Sequence, residues 1–294
     1  MSELQEKGLF IKKIRDFFHE RKITEVYTSV LDHGIEPNLF IEPYFLDNKP
    51  LPTSPEFGLK KCLSKYQEDI FTISHAFRKE EQGSLHKPEF LMLEYYRQEK
   101  NHMELANEVV LLINHLLNKK LPVNIVSQND IFKNNLNIDI QNDSLEKLYE
   151  VSKSLDLEST KDMNLNKEQM IDYIFSHKIQ PNLKDINIIH DFLPSQASLS
   201  KVINDKSKRF EILVDGCEIA NGFLEESNKD ILLKRFTHSN HVRQKQNLPI
   251  VPIDNDFLKS MDKLPNCSGV AIGLERLYMI KKSLSNVSKA RLIF

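Results

Sequence analysis

The stretch from Phe77 to Arg97 constrains this chain more than any other. Its second half, Phe90-Leu91-Met92-Leu93-Glu94-Tyr95-Tyr96, sends Leu91, Leu93 and Tyr95 one way and Phe90, Met92, Glu94 and Tyr96 the other. A period of two predicts a strand with one apolar face and one face bearing functional groups. Gly83 and Pro88 bracket a turn, so residues 77–80 are expected as the partner strand, with Arg78 and Glu80 on a shared face. An exposed loop between two strands, with a guanidinium at its base and a phenyl ring at its exit, suits a nucleoside triphosphate. The cation can hold phosphate and the ring can stack on a base. The alternation by itself fits an ordinary amphipathic hairpin equally well.

Three other stretches carry polar groups in unusual company. In Thr53-Ser54-Pro55-Glu56, proline pushes Ser54 into an extended conformation, and Glu56 can open a helix through Leu59, Cys62 and Leu63. As local structure this is a serine N-cap followed by proline and an acid in the first turn. Further on, Glu218, Asn221 and Glu225 lie on a strand interrupted by Gly222. Acids inside an apolar strand are costly unless cations pair with them, although a solvated edge strand would also tolerate them. Finally, Pro265 to Leu277 reads as a strand carrying Gly269 and Gly273 that runs into a helix.

Around these, helical spacing is expected from Phe10 to Val26 and from Met103 to Leu117, with a short strand at residues 25–28. Residues 123–184, rich in Asn, Lys and Asp, keep helical patterning at Leu145, Leu148, Val151 and Leu155 and again at Met170, Ile171, Ile174 and Phe175. They are expected as a helical insertion in one domain spanning 1–294. Strands are expected at 187–192 and 209–214, the latter turning back at Asp215-Gly216. His238 and His241 share a helix face, but no third ligand accompanies them, so they read as solvated. The net charge of −2 gives no global basic excess of the kind that wraps nucleic acid. Cys62, Cys217 and Cys267 form no C-x-x-C pair, which fits a reducing cytoplasm and argues against a zinc or disulfide frame. No run has the length or composition of a signal peptide or a membrane span.

The pattern Phe77-Arg78-x-Glu80 … His86-x-Pro88-Glu89-Phe90 … Glu94-x-Tyr96 resembles motif 2 of the class II aminoacyl-tRNA synthetases, and within them the lysyl type. The helix and strand before Thr28 resemble motif 1, which builds the dimer interface; Ser29 stands where that family has proline. Gly269-Val270-Ala271-Ile272-Gly273-Leu274-Glu275-Arg276 resembles motif 3. The resemblance implies an α+β fold, a class II synthetase catalytic domain whose antiparallel sheet is flanked by helices, and a homodimer. Only Met1 to Leu9 precede the first helical pattern, so the anticodon-binding barrel of lysyl-tRNA synthetases is expected to be missing. Together with Ala271 in place of the usual motif 3 glycine, this makes the chain similar to the elongation factor P–(R)-β-lysine ligase family.

That likeness implies ATP and Mg²⁺ as cofactors, and activation of lysine or β-lysine as an adenylate. It also implies transfer to a lysine of elongation factor P, with tRNA not expected as a partner. By the same likeness, Arg78 and Arg276 are the catalytic cations. ATP contacts fall to Arg78, Lys79, Glu80, Lys87, Phe90, Glu218, Ile219, Gly273 and Arg276, with Glu218 also meeting the metal. Amino-acid contacts fall to Ser54, Pro55, Glu56, Tyr96, Asn221, Glu225 and Ala271. Two other readings stay open: a tRNA-charging core, and an inactive paralogue serving as a regulatory subunit. Retention of Arg78, Glu218 and Arg276 counts against the second.

Overall fold

Helix α1 (Glu3–His19) starts at a capping box, in which the Ser2 and Gln5 side chains satisfy each other's backbone amides. It buries Phe10, Ile14, Phe17 and Phe18. The helix stops at His19 rather than continuing to Val26, and Lys22 takes a left-handed φ of 58° just beyond it. The short strand β1 (Thr24–Glu25) follows, then a ribbon of β2 (Phe45–Leu46) with β3 (Lys49–Pro50). Helix α2 (Glu56–Tyr66), strands β4 (Ile70–Phe77) and β5 (Glu89–Gln98), and helix α3 (His102–Leu117) complete this part. The computed structural model describes residues 1–31, 34–39, 41–79, 82–157, 163 and 165–293. They cluster into two compact units, one of residues 1–120 with 219–294 and one of residues 121–218.

The second unit opens with β6 (Val123–Ser127), then α4 (Gln128–Leu136), α5 (Leu145–Ser154), α6 (Lys167–Ile174) and β7 (Ile186–Phe192). Strand β8 (Val202–Ile203) pairs with β9 (Lys206–Val214). The helices expected near 145–155 and 170–175 are present, but residues 123–127 form a strand parallel to β7, which also pairs antiparallel with β9. The turn after β9 places Asp215 and Gly216 at φ 47° and 75°, the left-handed pair that a two-residue hairpin turn needs.

The chain then continues through β10 (Cys217–Leu224), α7 (Lys229–Lys245), α8 (Asn255–Ser260), β11 (Cys267–Gly273) and α9 (Leu274–Lys281). In the first unit, β4, β5, β11 and β10 are successive antiparallel neighbours, and β1 adds a parallel edge beside β4. The partner of β5 is therefore Ile70–Phe77, not the expected 77–80. Ile70, Phe71 and Thr72 are all buried, so no alternation marked that strand in the sequence. Only the last ladder bond, Arg78 N–H to the Pro88 carbonyl at 2.8 Å, extends it.

The pleat divides β5 as its sequence predicts. Tyr95 turns toward α1, where Phe18 stacks on Phe71 at 4.5 Å and meets the Tyr95 ring edge-on at 4.8 Å. Each such buried ring stabilises the fold by about 1.5–3 kcal/mol. Glu94 and Tyr96 take the other face. Cross-strand register there sets Thr72, Glu94, Ala271 and Asn221 in one row, and Ile70, Tyr96, Gly269 and Phe223 in the next.

Candidate active site

Helix α2 delivers the first acids to that functional face. Pro55 is its N-cap residue and supplies no side-chain bond, so the serine-cap expectation is shifted by one position. Ser54 Oγ instead accepts from the Glu56 N–H at 3.1 Å and donates to Glu94 Oε2 at 2.6 Å. Tyr96 donates its phenol to the other oxygen of Glu94 at 2.8 Å. One turn into α2, the Lys60 ammonium lies 2.6 Å from Glu56 Oε1 and 2.6 Å from Glu225 Oε2. The contact with Glu225 is a short ion pair rather than an aligned hydrogen bond, and Glu225 Oε1 is buried without any hydrogen-bond partner. Stacking of Phe57 on Phe257, 3.7 Å between centroids, fixes the rotation of α2 that aims Glu56 and Lys60 this way.

Burial and neighbouring charge disturb the ionisation of Glu94 and Glu225. Burial first, then the neighbouring Glu56 charge, raises the Glu94 carboxyl to about 7. Burial raises Glu225 to about 8, against the opposing pull of the Lys60 ammonium. For Lys60 itself, burial favours the neutral amine, but the Glu225 and Glu56 charges outweigh it and hold the ammonium firmly protonated. Space for the cluster comes from Gly269. A methyl built there would collide with the Tyr96 ring and lie 2.5 Å from Glu225 Oε1.

A second group of residues surrounds the loop between β4 and β5. The Arg78 Nε donates to the Thr53 carbonyl at 3.2 Å, and its guanidinium lies over the Phe90 ring, 5.2 Å from the centroid. The Arg276 Nε, from the first turn of α9, donates to the Leu85 carbonyl at 3.0 Å. Its neighbour Glu275 accepts the Leu91 N–H at 3.0 Å, tying the helix start to β5. A Cβ on Gly273 would meet nothing nearer than Arg276 Cδ at 3.8 Å, so the backbone there is open. Lys79 is held by Glu42 at 2.7 Å, and Lys87 is half-buried in the loop. Glu80 lies outside the described residues.

The structure thus brings Ser54, Glu56, Tyr96 and Glu225 together. Asn221 and Ala271 sit on the same sheet row as Glu94, and Pro55 is buried at the head of α2. Ile219 is buried on β10. Glu218 closes the second unit, where its charge adds to burial in raising Glu211 to about 7, while Arg209 pulls the other way. His238 and His241 are exposed on α7, and no cluster of three metal-ligating side chains exists among the described residues.

Sequence reasoning placed Glu94 on the functional face without a role of its own, and missed Lys60 and the use of Gly269. Signals for the first two were present: Glu94 has the parity of Tyr96, and Lys60 follows Glu56 by one helical turn.

Comparison with known proteins agrees with this architecture. Residues 2–293 match the family model described as tRNA synthetases class II (D, K and N). A protein of Buchnera aphidicola subsp. Acyrthosiphon pisum named elongation factor P–(R)-β-lysine ligase is 35% identical over 98% of this chain and 94% of its own length. Proteins of the same name from Proteus mirabilis and from Baumannia cicadellinicola subsp. Homalodisca coagulata are 32% and 31% identical. These cover 98% and 96% of this chain and 93% and 92% of their own lengths. The chain belongs to the class II tRNA synthetase family of the D, K and N type, in the company of these ligases.

Proposed function

We infer that this chain is an ATP-dependent ligase that activates (R)-β-lysine, or lysine, as its adenylate and transfers it to a lysine side chain of elongation factor P. The observation that carries the substrate class is the pair of buried acids Glu94 and Glu225, with the partly exposed Glu56 and the buried Tyr96 beside them. A carboxylate as secluded as Glu225, with one oxygen lacking a partner, calls for a cation from the ligand. A neutral side chain would leave it bare, which costs several kcal/mol or about 10²-fold and more in selectivity.

In the first half-reaction, a substrate carboxylate oxygen bonds to the α-phosphorus of ATP and the bond to the leaving pyrophosphate breaks. The nucleophile is already ionised, so no base is required. The protein aligns it and stabilises charge building on the phosphoryl oxygens. Arg78 and Arg276, both tethered to backbone carbonyls, supply that stabilisation, and Phe90 offers a ring to the adenine. A carboxylate oxygen is a donor that a hard divalent cation takes, and Glu218 would hold Mg²⁺, which when bound supplies positive charge. In the second half-reaction, an acceptor amine bonds to the acyl carbon and AMP leaves.

The names of the relatives support elongation factor P as acceptor over tRNA. Exposed Tyr27, Val30, Leu31 and Leu46, following the motif 1 strand, support a homodimer. Among the described residues no helix is long and apolar enough to cross a membrane and no disulfide joins Cys62, Cys217 or Cys267, which suits work in the cytoplasm.

Pyrophosphate exchange measured with α-lysine and with (R)-β-lysine tests the activation step. Offering each activated substrate to elongation factor P and to tRNA then tests the acceptor. Exchange with (R)-β-lysine and labelling of elongation factor P are expected; labelled tRNA with unlabelled elongation factor P would replace this reading by a tRNA-charging core.

A further inference from the structure

The pocket holds one cation of its own that neither half-reaction uses. Lys60 is 0% exposed, and its ammonium is shared between Glu56 Oε1 and Glu225 Oε2 at 2.6 Å each. An exposed ion pair one helical turn apart would add only a few tenths of a kcal/mol. A fully buried ammonium is a different matter, because losing its water costs several kcal/mol unless the surrounding charge repays it. The charged groups facing it are Glu56 from α2, Glu225 from the end of β10, and Glu94 from β5; Tyr96 faces them as a neutral phenol.

Three formal negative charges against one positive leave a deficit of two. The carboxylate of an amino acid in this pocket is directed to phosphate and does not enter the count. We propose that Lys60 is a built-in counter-cation that sets the deficit of the pocket at two charges and so selects amino acids bearing two ammonium groups over those bearing one. This rests on the substrate reading above.

The geometry makes Lys60 more than a filler. It takes one oxygen from Glu56 and one from Glu225, which fixes both carboxyl groups while leaving the second oxygen of each for a ligand. Without it, three acids would share one dry cavity with a dication that can satisfy only two. The surplus acid would then take up a proton, and the pocket would stop distinguishing charge states cleanly. The raised carboxyls of Glu94 and Glu225 agree with this: the empty pocket keeps protons near neutral pH, and an arriving dication must displace them.

Calorimetric titration of the whole protein at pH 7.5 tests the count. Lysine, (R)-β-lysine and norleucine, which lacks the second ammonium, are titrated in two buffers of different ionisation enthalpy, giving affinity and protons released together. Lys60→Met is expected to remain folded by circular dichroism, to bind lysine at least ~10-fold more weakly, and to lose part of the preference for lysine over norleucine. A folded Lys60→Met variant with wild-type affinity and preference would overturn the proposal, leaving Lys60 a structural tether.

Glu225→Gln decides the matter if Lys60→Met does not fold. With the deficit reduced to one, its preference for lysine over norleucine should fall at least ~10-fold and its proton release should drop. Unchanged preference and release in that variant would also overturn the charge count. Wild-type protein that binds neither lysine isomer would instead remove the substrate reading on which the count depends.

Discussion

The two units of this chain both place helices against a sheet, yet they fill their interiors by opposite rules. In residues 121–218 a cluster of apolar side chains fills the centre: Phe132, Ile138, Ile140, Met170, Ile171 and Ile174 are all at 0–1% exposure. In the other unit one sheet face is covered by the rings of α1, while the opposite face buries Lys60, Glu94 and Glu225 to 2% exposure or less. Apolar burial stabilises wherever it occurs. Buried charge is retained only where it is matched, and three acids facing one lysine are matched only when a ligand completes the set. Stability and recognition therefore rest on different residues, a division that substitution can break.

The largest effect is expected at Arg78. Arg78→Ala removes the cation over Phe90 and should lower pyrophosphate exchange by about 10³-fold or more, with circular dichroism and Tm close to wild type. Exchange at the wild-type rate would take Arg78 out of the chemistry. Gly269→Ala comes next, because its methyl collides with Tyr96 and Glu225 at the floor of the pocket. It should raise KM for lysine by about 10²-fold, since closing the pocket denies the substrate at least one carboxylate. An unchanged KM would show that the β11 backbone can retreat from the ring.

Ile171→Ala gives the converse in the other unit. It should cost about 2–5 kcal/mol in a denaturant titration and leave kcat per folded molecule unaltered. A large kcat effect would break the division between the two interiors.

What the sequence made legible follows the same division. The alternation of β5, the Asp215-Gly216 turn and the long helices were readable because each has a face bearing polar groups or a backbone angle that few residues tolerate. Strand β4 was not, since its first three residues are buried whichever way they point. Strand β6 escaped as well, although Val123, Asn124 and Ile125 are exposed, because its polar neighbourhood resembles that of the flanking helices. At the site, Glu56, Tyr96 and Glu225 stood out by resemblance. Lys60 hid as one of two adjacent lysines on a helix: Lys61 pairs with Asp254 at 2.6 Å, and only packing shows that its neighbour turns inward. Gly269 hid because a close approach involves two side chains from distant segments.

A pH dependence sharpens the comparison further. In the folded, ligand-free protein Glu94 titrates at about 7 and Glu225 at about 8, both above an unfolded carboxyl near ~4.3. Such raised values add stability below the unfolded pKa and lose it as pH rises through 7 to 8, because the folded state holds the protons. A diammonium ligand replaces those protons. The rise in Tm produced by saturating lysine should therefore be larger at pH 8 than at pH 5.5. Asp172 and Glu211 in the other unit are also raised, to about 6 and about 7, but they have no part in the lysine pocket and shift Tm alike with and without ligand. A ligand-induced rise that does not grow with pH would mean that the pocket acids are already ionised before the substrate arrives.

The smallest effect concerns a single methyl. Ala271 sits on β11 between Asn221 on β10 and Glu94 on β5, so its Cβ shares a row with an amide and an acid that the proposed function turns toward the substrate. Moving an amine from the α to the β carbon shifts that ammonium by one bond relative to the carboxylate, and a methyl in this row decides which position has room. One methyl in a pocket is worth at most about 1–3 kcal/mol, and less where the neighbours can adjust. Asn221 is half-buried, whereas Glu94 is pinned by Ser54 and Tyr96, so the adjustment falls mainly on the asparagine side. Ala271→Gly should accordingly move the ratio of kcat/KM for (R)-β-lysine over α-lysine by several-fold toward α-lysine, with Tm nearly constant. Because the pocket's charge count is untouched, norleucine should be rejected as strongly as before. An unaltered isomer ratio would place isomer selection in the fixed acids instead of in the methyl, and make the charged interior responsible for shape as well as for charge.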